Sequence, residues 1–417
     1  MATIESATKY GLDEYLPKPK AERQGIALAL SGGGYRAALF DLGALRRLNE
    51  LGVLTRLNTI TSVSGGSVAS AQLARHRLEH PDDWKAKRPI ARFEEEIAAP
   101  LRRCARRNIR TRAVLARFFP WNWFRPGISV DELARAFEAP AGRHALSELK
   151  NDPRFIFCAT DLRFRDQWRF DTGKDPGEDQ IGSERAGFTR ISSYWTLARA
   201  AAASASFPFA FPPVRVPFEE RPLGTYREAD RDELVRKLQL TDGGLYDNMG
   251  LEPVWKDHAA VLVSDASPTF KYQPGVFGVA WNGLRYGVTL LEQSTDVRKR
   301  WLISSFLRGE YAGAYWGIAS MPGHYGYEPD SGYSEDFIRD CISQVRIDFD
   351  SFSEGEIRVL ENHGYLLAEV AMRTHAKELV DGPWPDPQVP HEYWMNPDRA
   401  REALAQSAET KILGRFR

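Results

Sequence analysis

Cysteine is scarce in this chain of 417 residues. The three cysteines are odd in number and too widely spaced for a disulfide framework or a zinc knuckle; they are Cys104, Cys158 and Cys341. We therefore expect a reducing compartment, the cytoplasm. No spacing of histidine, cysteine or carboxylate residues predicts a metal site, and we expect no cofactor.

Net charge and long apolar runs are also missing. Lysine plus arginine and aspartate plus glutamate each total 56, so no global field draws the chain to nucleic acid, and we expect no nucleic-acid partner. The sequence contains no run of about 18 apolar residues, which is the length needed to cross a bilayer. Residues 1–23 contain no apolar segment of signal-peptide type. A soluble protein or a peripheral membrane protein is expected.

Glycine, by contrast, is concentrated at the ends of predicted strands. Ile26–Leu30 is a short apolar run that ends in Ser31–Gly34 and continues into an apolar helix. Leu57–Val63 is a second such run, which ends at Ser64–Gly66 before helical composition resumes. Two consecutive strand–helix units predict a parallel sheet with right-handed crossovers.

Other elements follow from composition and end signals. An alanine-rich helix is predicted over Tyr194–Ser206, and Ser353 with Glu356 forms a capping box that opens a helix to about Lys377. The remaining strand predictions are Phe155–Thr160, Gln167–Phe170, Leu238–Thr241 and Val261–Ser264.

Ser64 is the candidate nucleophile. It stands where a strand turns into a helix, and the small residues around it (Ser62, Gly65 and Gly66) would let the backbone turn sharply. The common elbow pattern is G-x-S-x-G, and here Ser62 replaces its first glycine. A plain glycine-rich turn with surface serines is the alternative interpretation.

The turn at Gly32, Gly33 and Gly34 could supply backbone amides that stabilise an oxyanion facing Ser64. Its glycines also fit a dinucleotide-binding pattern, G-x-G-x-x-A. That pattern needs an acidic residue at the end of the next strand, and none occurs between Glu50 and Glu79. A phosphate-binding loop would require a Gly-Lys-Ser/Thr sequence, which does not follow.

Asp242 is the candidate base. It ends a predicted strand and precedes Gly243 and Gly244, a pattern that a simple turn would also show. A free aspartate is a weak base, so its pKa would have to be raised in a water-poor cleft. None of the eight histidines lies at a strand end, and His258 is the nearest rival in sequence.

Taken together, G-G-G-x-R at 32–36, S-x-S-G-G at 62–66 and D-G-G at 242–244 resemble the patatin-like phospholipase family over roughly residues 24–270. The resemblance implies a three-layer α/β/α sandwich with a mostly parallel central sheet, plus extra C-terminal helices. It implies that Ser64 is the nucleophile, that Asp242 is its base, and that the amides of Gly32 to Gly34 form the oxyanion hole. Arg36 matches a basic position of the family and is expected to bind a substrate phosphate.

We expect an N-terminal extension (1–23), a catalytic domain (24–345) with a lid-like insertion (90–150), and a C-terminal helical extension (346–417). The stretch Arg102–Phe124 combines arginines with tryptophan and phenylalanine and carries no acidic residue. This composition suits transient contact with a membrane surface. The alternative is a solvated basic helix that pairs with Glu94, Glu95 and Glu96.

The leading hypothesis is a lipid acyl hydrolase that cleaves fatty acyl esters of glycerophospholipids through an acyl-enzyme at Ser64. An esterase or thioesterase that uses the same Ser-Asp pair on soluble substrates is a second hypothesis. A catalytically silent lipid-binding protein with this fold is a third, and in that case replacing Ser64 would change nothing.

Overall fold

The computed structural model describes residues 23–111, 128–149, 152–173, 179–208, 211–217, 221, 237–268, 279–327, 332–405 and 407. Its strands are β1 (Ile26–Leu30), β2 (Thr59–Val63), β3 (Arg154–Asp161), β4 (Asp166–Asp171), β5 (Gln180–Ser183), β6 (Gly187–Arg190), β7 (Val214–Arg215), β8 (Gln239–Asp242), β9 (Ala260–Asp265) and β10 (Ala312–Gly317). The α-helices are α1 (Gly34–Glu50), α2 (Gly65–Glu79), α3 (Pro81–Lys85), α4 (Ala99–Ala105), α5 (Ile128–Ala141), α6 (Leu197–Ser204), α7 (Gly244–Asp247), α8 (Val279–Leu307), α9 (Glu335–Asp340), α10 (Glu354–His375) and α11 (Pro397–Ala405). A π-helical turn covers Glu94–Ala98, and 3-10 turns cover Leu54–Arg56, Leu146–Glu148, Pro322–Tyr325, Ile342–Gln344, Lys377–Leu379 and Glu392–Met395.

The ten strands form one mixed sheet in the order β10-β9-β1-β2-β3-β4-β5-β6. The first five strands of this order run parallel to one another, as the two strand–helix units predict. From β3 outward, β4, β5 and β6 continue as an antiparallel meander. All six predicted strands are confirmed with small shifts at their ends, while β5, β6, β7 and β10 were not predicted.

Strand β8 leaves the main order and shares one edge of β3 with β2. Strand β2 pairs with the first half of β3 in parallel and ends with Val63 opposite Cys158. Strand β8 pairs with the second half in the antiparallel direction, and its last residue, Asp242, lies opposite Ala159. Because Cys158 and Ala159 are consecutive, β2 and β8 end facing each other at one point of the sheet.

Helices cover both faces of the sheet and give three layers. In β1, Leu28 and Leu30 belong to a large apolar core that includes helices α1, α2 and α10. The alternate residues, Ala27 and Ala29, face a smaller core with Leu302 of α8. This alternation is what a strand buried on both faces requires. No helix in the described ranges has the length and apolar character needed to cross a bilayer.

The C-terminal helix α10 lies directly against α1, and two glycines set the approach. A Cβ at Gly43 would lie 1.9 Å from the carbonyl oxygen of Glu361, and one at Gly364 would lie 1.9 Å from that of Phe40. The capping box predicted for α10 is confirmed, because Ser353 accepts from the Glu356 amide and the Glu356 carboxylate accepts from the Ser353 amide. The division of the chain at residue 346 stays a prediction.

Gly43→Ala is expected to destabilise the fold strongly, because the added methyl group would collide with backbone rather than with a flexible side chain. We expect a loss of about 2–4 kcal/mol in the free energy of unfolding, measured by urea denaturation. Gly287→Ala in α8 is the matched control, since nothing lies within 4 Å of a Cβ there. The control should be neutral or slightly stabilising. Equal midpoints for the two variants would contradict the close α1–α10 contact.

Candidate functional site

Ser64 occupies the sharp turn between β2 and α2. Its backbone has φ 50° and ψ −116°, a conformation that costs a residue with a side chain on the order of 1–3 kcal/mol. The next two residues must be glycine. A Cβ at Gly65 would lie 1.9 Å from the carbonyl oxygen of Gly34, and one at Gly66 would lie 2.5 Å from that of Leu30. The turn is therefore a tight elbow that presses against the glycine turn after β1.

The Ser64 side chain lies beside the Asp242 carboxylate and favours its charged form. The Asp242 carboxylate also accepts from the amide of Gly244 at 2.8 Å. Both residues are nearly buried, with 6% of Ser64 and 3% of Asp242 exposed. Burial raises the pKa of Asp242 to about 6, although the hydrogen bond from Gly244 and the neighbouring Ser64 side chain lower it. A carboxylate with this pKa is a better proton acceptor than free aspartate and is still ionised at pH 7.

The Asp242 backbone is held from both sides. Its amide donates to the carbonyl oxygen of Ser206 at 3.0 Å, and its own carbonyl accepts from the Thr160 hydroxyl at 2.8 Å. The following glycines leave no space for side chains. A Cβ at Gly243 would lie 2.3 Å from the Cys158 carbonyl oxygen, and one at Gly244 would lie 3.0 Å from Asp242 Oδ1. These contacts leave little room for anything but glycine at both positions.

The glycine turn after β1 departs in part from its predicted role. Gly32 was predicted to offer its amide to an oxyanion, but that amide donates to the carbonyl oxygen of Asn248 at 2.9 Å. Gly33 and Gly34 have φ 148° and 58° and stand at the start of α1. Within the described residues we find no acceptor for the amides of Gly33, Gly34 and Gly65. The backbone amides of Gly33, Gly34 and Gly65 could therefore donate to a bound anion, whereas the amide of Gly32 is already occupied.

Asn248, which follows α7, joins its own segment to the loops after β1 and β9. Its side-chain amide donates to the Ser267 hydroxyl at 2.8 Å and to the Gly32 carbonyl oxygen at 3.4 Å. Its Oδ1 occupies the space where a Cβ of Gly32 or Gly244 would lie. Asn248 comes soon after Asp242 in the sequence, but this spacing alone did not predict that its side chain would link separate loops.

Arg36 is not placed to bind a substrate phosphate. It is 2% exposed, and its guanidinium donates to four backbone carbonyl oxygens. Two belong to the loop after β9 and two to the segment before α10; they are those of Ala266, Ser267, Ser343 and Val345. A planar cation with several donors suits such a carbonyl cluster, and burial lowers the pKa of Arg36 to about 10. The expectation of a phosphate contact was wrong because the side chain points into the protein.

Three of the five arginines in the described part of the predicted membrane-contact segment form ion pairs, whereas Arg103 and Arg107 are exposed. Arg102 is buried and pairs with Glu94 and with Glu361 of α10. Arg106 pairs with Glu354 at 2.5 Å, and Arg110 pairs with Asp348 and Asp350. Only Glu94 belongs to the acidic group that the solvated-helix alternative named. Residues 112–124, which contain the aromatic part of the segment, lie outside the described residues.

Histidine does not take part in the site. His258, the rival base, is buried away from Ser64 and bonds the Val254 carbonyl oxygen and the Thr59 hydroxyl. Among the described residues, one group has the spacing of metal ligands: His76, His80 and Glu96. There, Trp84 Nε1 donates to His76 Nδ1 at 3.0 Å, so Nε2 carries the proton and donates to Glu96 at 2.9 Å. A protonated nitrogen cannot bind a metal, so this group is a hydrogen-bond chain in the described arrangement.

Comparison with known proteins gives one family match. The model of the family described as patatin-like phospholipase matches residues 28–255, more than half of the chain. No curated protein matches the chain.

The structure is similar to that of human GIVD cytosolic phospholipase A2, with 14% identity over 63% of this chain and 48% of that one, at a TM-score of 0.36. It is also similar to VipD from Legionella pneumophila, with 13% identity over 86% of this chain and 68% of that one, at a TM-score of 0.33. The chain thus spans about half the length of the human structure.

Arg36→Lys is expected to destabilise the fold, because an ammonium group cannot satisfy four carbonyl oxygens spread over two segments. We expect a loss of about 3 kcal/mol in the free energy of unfolding, measured by urea denaturation. The matched control is Arg135→Lys, where the arginine is 55% exposed and pairs with Glu132. The control should shift the free energy by less than about 0.5 kcal/mol. An Arg36→Lys midpoint equal to that of the parent would contradict the tethering role.

Proposed function

The chain belongs to the patatin-like phospholipase family, and from this premise we propose that it hydrolyses fatty acyl esters of glycerophospholipids. In this proposal Ser64 is the nucleophile and Asp242 is its only side-chain base. The supporting observation is that the two side chains lie beside each other, at the facing ends of β2 and β8.

The reaction begins when the Ser64 hydroxyl passes its proton to the Asp242 carboxylate and its oxygen attacks the ester carbonyl carbon. The resulting oxyanion accepts hydrogen bonds from the amides of Gly33, Gly34 and Gly65, which lie at the starts of α1 and α2. Such preorganised donors are worth about 3 kcal/mol of barrier each. Positive charge at the two helix N-termini favours the same anion.

Collapse of the tetrahedral intermediate breaks the bond to the lysolipid oxygen, which takes the proton from Asp242. The acyl group then remains on Ser64 as an ester. Water attacks this ester after losing a proton to Asp242, and collapse of the second intermediate releases the fatty acid and returns the proton to Ser64. One water is consumed for each ester cleaved, and no cofactor is needed.

An esterase or thioesterase acting on soluble substrates with the same pair of residues is the alternative. The ion pairs of Arg102, Arg106 and Arg110 favour it, because these side chains are engaged by acidic groups of the protein instead of being available to lipid headgroups. Flotation with phosphatidylserine-containing vesicles separates the two proposals. Stable association would favour the phospholipase, whereas cleavage of monomeric esters without any association would favour the alternative.

Ser64→Ala and Asp242→Asn should each reduce hydrolysis by about 1,000-fold or more, because each removes one partner of the proposed proton transfer. Release of fatty acid from phosphatidylcholine vesicles is the measurement, and circular dichroism checks the fold. Ser70→Ala, a buried serine on α2 away from the turn, is the control and should keep the parent rate. A fluorophosphonate should label the parent at Ser64 and leave Ser64→Ala unlabelled. Normal turnover by Ser64→Ala would remove Ser64 from the mechanism, whereas a parent protein with no turnover at all would support the catalytically silent hypothesis.

The rate should depend on pH through Asp242. The carboxylate is the active form, so kcat/KM on a neutral soluble ester should fall as pH drops through about 6 and level off above pH 7.

Ionisation of Asp242 should have the opposite effect on the free energy of unfolding, which it lowers. The folded state holds this proton more tightly than the unfolded chain, so ionisation costs stability above pH 6, and the cost disappears as pH falls toward 4.

Asp242→Asn should therefore be more stable than the parent at pH 8, by on the order of 2 kcal/mol. The two proteins should converge as pH falls toward 4. Two results together would show that burial does not raise the pKa of this carboxyl group. They are a fall in kcat/KM only near pH 4, and equal free energies of unfolding for the parent and Asp242→Asn at pH 8.

A further inference from the structure

Three buried serines lie next to the elbow, and none of them is exposed to solvent. Ser62 precedes the turn, Ser67 stands in the first turn of α2, and Ser204 ends α6. All three are fully buried. We call this group the serine cluster. It includes the position at which the common elbow pattern has glycine, and the proposed reaction gives it no role.

Ser204 is the centre of the serine cluster. Its hydroxyl accepts from the backbone amide of Ser64 at 2.9 Å and donates to the Cys158 carbonyl oxygen at 2.6 Å. The Ser67 hydroxyl lies 2.9 Å from it and donates to the Ser62 hydroxyl at 3.1 Å. One hydroxyl thus connects the proposed nucleophile's own peptide group to β3, the strand whose edge also positions Asp242.

We propose that Ser204 is a positioning residue that fixes the Ser64 peptide in its strained conformation and thereby holds the Ser64 hydroxyl against Asp242. This inference rests on the proposed function of Ser64. The Ser64 amide already donates to the Ser204 hydroxyl, so the oxyanion cannot use it. The buried amide would have no acceptor without Ser204, and rotation of the peptide toward a relaxed conformation would move the side chain that follows it.

The contribution of Ser62 is smaller. Its hydroxyl lies 3.5 Å from the Ile156 carbonyl oxygen and accepts the bond from Ser67. It touches Ser204 only through Ser67. Replacing Ser62 with the glycine of the common pattern should therefore leave the bond between Ser204 and the Ser64 amide intact.

The test compares single variants in the full chain at 25 °C on a soluble neutral ester. Ser204→Ala should lower kcat about tenfold with KM changed less than about twofold, and should slow fluorophosphonate labelling of Ser64 by the same factor. Ser62→Gly should change kcat less than about threefold. Ser70→Ala is the matched control, because its hydroxyl is also buried on α2 but has no hydrogen-bond partner in the described structure. It should match the parent in all three measurements.

Ser204→Cys guards against a failure of the alanine variant to fold, since a thiol fills the same place but is a weaker donor and acceptor. A folded Ser204→Cys protein should be intermediate in kcat and in labelling rate. Parent-like kcat and labelling in folded Ser204→Ala or Ser204→Cys would overturn the proposal, even if thermal stability falls. If the parent itself is neither active nor labelled at Ser64, the proposed function fails instead.

Discussion

The contact between two glycine turns determines how the site is built. Gly65 at the start of α2 lies so close to Gly34 at the start of α1 that no side chain fits between them. Two helix N-termini are thereby brought to one point of the sheet. Because β2 and β8 also end there, facing each other along β3, Ser64 and Asp242 lie close to this pair of N-termini. A Cβ at Gly65 would push the two turns apart, and a Cβ at Gly34 would collide with the backbone of Asp348.

Burial and hydrogen bonding compete at Asp242. The hydrogen bond from Gly244 and the neighbouring Ser64 side chain favour the charged carboxylate, while removal from water disfavours it. The raised pKa of Asp242 shows that removal from water has the larger effect. The protein therefore holds a carboxylate whose ionisation costs stability at neutral pH. Strain at Ser64 adds a second local cost. Both costs fall on the two residues that the proposed reaction uses, and the rest of the fold must offset them.

Most of the central sheet and the convergence of Ser64, Asp242 and the glycine turn could be predicted from the sequence, because strand ends followed by glycines are local signals. The antiparallel direction of β8 could not, since it depends on pairing with β3 about 80 residues earlier in the chain, and nothing within β8 specifies it. The role of Arg36 could not be predicted from local sequence either. An arginine after a glycine turn suggests an anion site, and only the positions of Ala266 and Val345 reveal that carbonyl oxygens surround it. Ser204 carried no signal at all, because a serine at the end of an alanine-rich helix is ordinary.

The segment before α10 belongs to the site even though it lies beyond the residues that match the family model, 28–255. The carbonyl oxygen of Asp348 accepts from the amide of Tyr35 at 2.9 Å, and its backbone lies where a Cβ of Gly34 would be. Its carboxylate in turn pairs with Arg110. Since Arg36 binds two further carbonyl oxygens of this segment, the glycine turn is held between the loop after β9 and the segment before α10. The geometry of the Gly33 and Gly34 amides therefore depends on residues that the family pattern does not include, and a chain cut after residue 255 would lose that support.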